Sequence, residues 1–88
     1  MSFQYLGIDI ETKVEVYVDF ERKVIQLQQK GKTEWFHYYP NGTIRNHSYL
    51  NQSGITPYMM FFGNQVFNQF DTFVETLKAK NLTFKKHG

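Results

Sequence analysis

The sequence predicts an α+β domain: an antiparallel meander sheet of about five strands with one C-terminal amphipathic helix packed across one face. Three observations predict it. In the first half of the chain, apolar and polar residues alternate with period two. A Pro40-Asn41-Gly42 turn joins two β-prone runs. From Asn64 onward the apolar spacing becomes that of a helix.

Leu6, Ile8 and Ile10 alternate with Gly7 and Asp9, the pattern of a half-buried strand. Glu11-Thr12-Lys13 is polar and turns. Val14, Val16, Val18 and Phe20 then alternate with Glu15, Tyr17 and Asp19, which is the clearest strand signal in the chain. After a short Glu21-Arg22 turn, Val24 to Gln29 places Ile25 and Leu27 on one face. Lys30-Gly31-Lys32 breaks that run, and Thr33 to Tyr39 is aromatic and β-prone. Proline presets φ at Pro40 and Asn-Gly tolerates the left-handed region, so a hairpin with a bulge returns through Thr43 to Leu50. Asn51 to Gly54 is a polar loop closed by Thr56-Pro57. Tyr58 to Phe62 reads as a last buried strand or as a lead-in to the helix. The strands thus fall within residues 3–62.

Val66, Phe67, Phe70, Phe73, Val74 and Leu77 share one stripe of a helix spanning about 64–80. Asn64 is the expected N-cap, Lys78 and Lys80 oppose the helix dipole, and Asn81 ends the helix. A short basic tail, 82–88, follows. With no linker and no repeat, residues 1–88 read as a single small domain.

Composition narrows the function. The 88 residues carry a net charge of +2, 41% apolar and 18% aromatic residues, and no cysteine, which excludes disorder, a disulfide scaffold and thiol chemistry. No apolar run reaches the ~18–20 residues of a membrane span. The start shows no basic segment followed by an apolar stretch, so the expectation is a cytoplasmic protein with no membrane partner. Asn41, Asn46, Asn51 and Asn81 each open a glycosylation pattern, which abundance of Asn, Ser and Thr accounts for without a secretory segment. Charge is uneven: residues 1–22 are net acidic, whereas residues 23–88 hold eight Lys and Arg against three acids.

A single helix covers one face of such a sheet and leaves the other open. Val14, Val16, Val18, Phe20, Ile25, Leu27, Phe36, Tyr38 and Ile44 are the expected inner residues. If Tyr39 lies opposite Thr43, then His37 opposes Arg45 and Trp35 opposes His47. Alternation then puts Trp35, His37, Tyr39, Arg45, His47 and Tyr49 together on the outer face, with Tyr17 nearby. A bulge at Gly42 would shift those partners by one. Exposed aromatic surface with Arg marks contact sites.

This face fits single-stranded nucleic acid best. Trp35, Tyr39 and Tyr49 stack on bases, and Arg45, Lys30, Lys32, Lys85 and Lys86 attract phosphates. Glu15 and Asp19, on the same side of their strand, weigh against it. Strands followed by one C-terminal helix is an order similar to that of small single-strand-binding proteins, a likeness of element order that carries no residue across. A protein-interaction module, an inhibitor or adaptor, fits the same face, as does a homodimer that buries it. The remaining alternative is a metal-independent ribonuclease with His37 and His47 as acid and base and Arg45 as phosphate clamp. No Gly-x-Ser-x-Gly elbow, nucleotide glycine loop or clustered metal-ligand set occurs, so the expectation is a non-enzymatic chain without metal or cofactor.

Overall fold

A computed structural model describes residues 2–50 and 53–84. Asn51 and Gln52 of the polar loop, and Lys85, Lys86 and His87 of the tail, lie outside the described residues. Five strands form one antiparallel meander in the order β1-β2-β3-β4-β5. They are β1 Gln4–Ile8, β2 Glu15–Asp19, β3 Val24–Gln29, β4 Lys32–Tyr38 and β5 Ile44–Leu50. Two helices follow, α1 Pro57–Phe62 and α2 Phe70–Lys78. The predicted α+β class and sheet are therefore present. No helix among the described residues is long and apolar enough to cross a membrane.

The helix expected over 64–80 is shorter, since residues 64–69 are not helical and α2 begins at Phe70. The Tyr58 to Phe62 run, expected as a last strand or a lead-in, lies in a separate helix, α1. Thr56 caps α1, its hydroxyl accepting the Met59 N–H at 3.1 Å, and Pro57 supplies a first-turn residue with no N–H to satisfy. Gly63, at φ 60°, ends α1 where a residue with a side chain would be strained. Asn64 is thus not an N-cap. The chain then runs along the start of β5, where the Ile44 N–H donates to the Asn68 carbonyl and the Phe70 N–H to that of Gly42, both at 2.8 Å. α2 begins only after those bonds are made.

Both helices pack on one side of the sheet. Val14, Val16, Val18, Ile25 and Leu27 from the strands are fully buried with Phe73 and Leu77 of α2. Aromatic rings fill the middle of this layer. Phe73 stacks on Phe67 at 4.8 Å and meets Phe36 edge-on at 5.1 Å. Tyr38 donates its hydroxyl to the Phe67 carbonyl at 2.9 Å, which satisfies a buried polar group. Phe20, expected inside, follows β2 in a turn and is 36% exposed, its ring meeting that of Phe70 edge-on.

The first strand differs from its expected pattern. A bulge at Leu6 sets Tyr5 opposite Tyr17 and Gly7 opposite Val16, so glycine faces the core side. Leu6 packs against the core, whereas Ile8 pairs with Glu15 and Ile10 lies exposed in the following turn. A glycine is required at Gly7: a Cβ there would meet that of Leu82 at 2.8 Å. This close approach lets Ile8 and Thr83 exchange two backbone bonds of 2.8 and 2.9 Å, which cover part of the free edge of β1.

Phe73 is fully buried among rings from both layers. Phe73→Ala should lower stability by ~3–5 kcal/mol, read as a fall in the urea midpoint at unchanged slope.

Candidate functional site

The outer face depends on how β5 pairs with β4. The hairpin closes as expected: the Tyr39 N–H donates to the Thr43 carbonyl at 2.8 Å, and Gly42 takes φ 95°. Tyr38 then faces Ile44, but His37 faces Asn46, so Arg45 is an extra, unpaired residue on β5. Beyond this bulge every side chain of β5 has changed face. Trp35 lies opposite Ser48, and His47 lies opposite Phe36.

The expected cluster is therefore divided. Trp35, His37 and Arg45 remain together on the outer face. His47 and Tyr49 move to the helix side, opposite the inward-facing Phe36 and Glu34. Lys32 shares that side, its Nζ donating to the Ile55 carbonyl at 2.9 Å. Tyr39 is exposed at the Pro40 turn, while Lys30 sits in the turn before β4, at the other end of that strand. His37 and His47 occupy opposite faces, so the pair cannot flank one phosphate as the ribonuclease reading requires.

What alternation hid on the helix side is a buried carboxylate. Glu34 is fully buried, an expensive placement for an acid unless it is bonded. One oxygen accepts the Tyr58 N–H at 2.7 Å, and the other lies 2.8 Å from His47 Nε2. Tyr58 is the second residue of α1, so Glu34 satisfies a helix-end N–H from across the sheet. His47 also stacks on Phe36, at 4.3 Å and 15° between planes. These contacts join β4, β5 and α1, which is a sufficient structural role for the group.

The outer face has a different character. Registers place Tyr5, Tyr17, Gln26, Trp35 and Ser48 in one cross-strand row. Asp19, Val24, His37 and Asn46 form the next. At one end these rows frame a cleft of about 350 Å³ lined by Phe3, Asp19, Arg22, Trp35, His37 and Arg45. Arg22 comes from the β2–β3 turn and Arg45 from the bulge, so irregular backbone supplies both cations. Phe3, Tyr5 and Arg22 were not predicted members. Tyr5 was hidden by the β1 bulge, and its alternation with Gly7 offered no apolar signal.

The electrostatics follow from burial. Burial and then Arg45 hold the His37 imidazole below its usual pKa of 6.5, favouring the neutral ring at pH 7. Burial, with the Glu15 carboxylate beside it, pushes the Tyr5 phenol up to about 12. Tyr17 is raised by the same two causes, so both phenols are neutral stacking groups. Glu15 is engaged by the Tyr5 hydroxyl at 3.1 Å. Asp19 is 2% exposed, one carboxylate oxygen accepting the N–H groups of Glu21 and Arg22 at 3.1 and 3.0 Å. It belongs to a turn and is not the open repulsive charge expected from alternation.

Two outcomes follow. Glu34→Ala should cost about 3 kcal/mol in urea unfolding, at the low end for a broken buried pair because the His47 side chain is 40% exposed. His37 is protonated more readily in the unfolded chain, so its contribution is intact above pH 6.5 and declines as pH falls from there through its lower folded value. Stability measured at pH 7.5 and 5.5 should therefore fall less for His37→Asn than for the parent chain. No protein-family model, curated protein or solved structure matches this chain.

Proposed function

We propose that this protein is a non-enzymatic binding module that takes single-stranded nucleic acid on the outer face of its sheet. The observation that carries the reading is the grouping of Trp35 with Arg22 and Arg45 around one cleft, on the face opposite the helices. An indole stacks on any unpaired base, and guanidinium groups hold the phosphates on either side. Tyr17 and Tyr5 continue the row away from the cleft and extend the stacking track across β2 and β1.

The same face supports a second reading, a protein partner such as the target of an inhibitor or adaptor. The specific observation favouring it is Glu15, which sets a carboxylate beside the aromatic row and gives the face mixed charge. Salt separates the readings. Two guanidiniums on phosphates give a slope of roughly −1.4 for the logarithm of affinity against the logarithm of salt, from about −0.7 per phosphate contact on a single strand.

The experiment is anisotropy of a labelled oligothymidylate titrated with protein at several salt concentrations. Trp35→Ala should weaken binding by ~1–3 kcal/mol. Arg45→Ala should flatten the salt slope by about 0.7. Unaltered affinity in both variants would remove this face as the binding surface. A partner protein whose affinity ignores salt but falls with Trp35→Ala would favour the second reading.

A further inference from the structure

One group in the cleft is explained by neither stacking nor phosphate binding. Asp19 is buried and is one of the residues lining the cleft. The turn uses only Oδ1, which accepts both the Glu21 and Arg22 N–H groups. Among the described residues Oδ2 accepts no hydrogen bond, and no Lys or Arg nitrogen lies within 4.0 Å of the carboxylate. A buried acceptor is costly without a donor, so this oxygen can take one from a group seated in the cleft.

The surroundings define what arrives. Asp19 and His37 are separated by one strand, since Val24 pairs with both. Two strand spacings make ~10 Å, enough for a purine lying between β2 and β4. Trp35 lies two residues along β4 from His37, on the same face. A base stacked on Trp35 therefore reaches toward β2 with its edge near Asp19, while Arg22 and Arg45 flank the cleft.

We infer that the cleft selects guanine, with the Asp19 carboxylate reading its Watson–Crick edge. An ionised carboxylate only accepts hydrogen bonds. Guanine presents two adjacent donors on that edge, N1–H and the N2 amino group. Adenine and cytosine each set a ring-nitrogen lone pair beside their single amino group, which a carboxylate repels. Thymine and uracil flank their one N–H with two carbonyl oxygens. Guanine is thus the base whose two adjacent N–H donors converge on Oδ2, the oxygen the turn leaves open, with no lone pair between them. The inference rests on the nucleic-acid reading above and adds a base preference to it.

The test uses labelled heptathymidylates whose central base is replaced by guanine, adenine, cytosine or hypoxanthine. The guanine strand should bind at least about tenfold tighter than the adenine strand, the usual scale for a paired base contact. Hypoxanthine keeps N1–H and lacks the amino group, so its strand should fall between them. Asp19→Asn keeps an oxygen for the two turn N–H groups and replaces the other acceptor with a donor, so it should bring guanine and adenine to parity. Trp35 is the only tryptophan, so quenching of its fluorescence shows whether the strand occupies this cleft. Equal affinity for all four strands overturns guanine selection and leaves single-strand binding standing. Binding of none of them, with Trp35 emission unchanged, overturns both. If Asp19→Asn does not fold, the order guanine, hypoxanthine, adenine decides on the parent protein alone, and any other order is fatal to the idea.

Discussion

One unpaired residue governs how the two faces of this sheet are filled. Strand side chains alternate, so inserting Arg45 into β5 reverses the side taken by everything after it. His47 is thereby turned under the sheet toward Glu34 and away from Trp35. Without that reversal, Glu34 would lie buried with α1 alone to bond it. The bulge also frees Arg45 from the ladder and leaves it at the cleft, so one irregularity both completes the helix side and arms the opposite one.

The two faces are held by different physics. On the helix side, rings of Phe36, Phe67 and Phe73 meet in stacked and edge-on pairs at close to 5 Å, the geometry that favours aromatic packing beyond area burial alone. Polar groups there are bonded within the fold, as with Tyr38 and Glu34. The outer side keeps its aromatic rings half-buried in a cross-strand row and its cations on a turn and a bulge. Rigid strands thus position the flat groups, and the departures from regular structure position the charges.

Much of this architecture was legible from the residues. Val14, Val16 and Val18 announce an inward face by strict alternation, and each is fully buried. Asn41-Gly42 specifies its turn because few residues accept the φ that Gly42 adopts. What stayed hidden was one-residue insertions. Leu6 and Arg45 carry no mark that sets them apart from ladder residues, yet each shifts a register. The expected outer-face grouping divides for this reason: Trp35, His37 and Arg45 precede or form the bulge, whereas His47 and Tyr49 follow it. Helix α1 had a readable sign. Thr56-Pro57 is a cap followed by a first-turn proline, but the continuous aromatic run after it resembled a strand. The role of Asp19 was masked because an acid on a strand's polar side looks exposed, whatever its carboxylate bonds.

The bonds between Ile8 and Thr83 join opposite ends of the described chain. Loop-closure entropy is lost before a contact of that span can form. On the ribosome, β1 would emerge with its outer border open and would wait until Thr83, 75 residues after Ile8, arrives. Nascent chains stalled before that point would display a bare strand rim, a natural target for holdase chaperones and a route to mispairing between neighbours on a polysome.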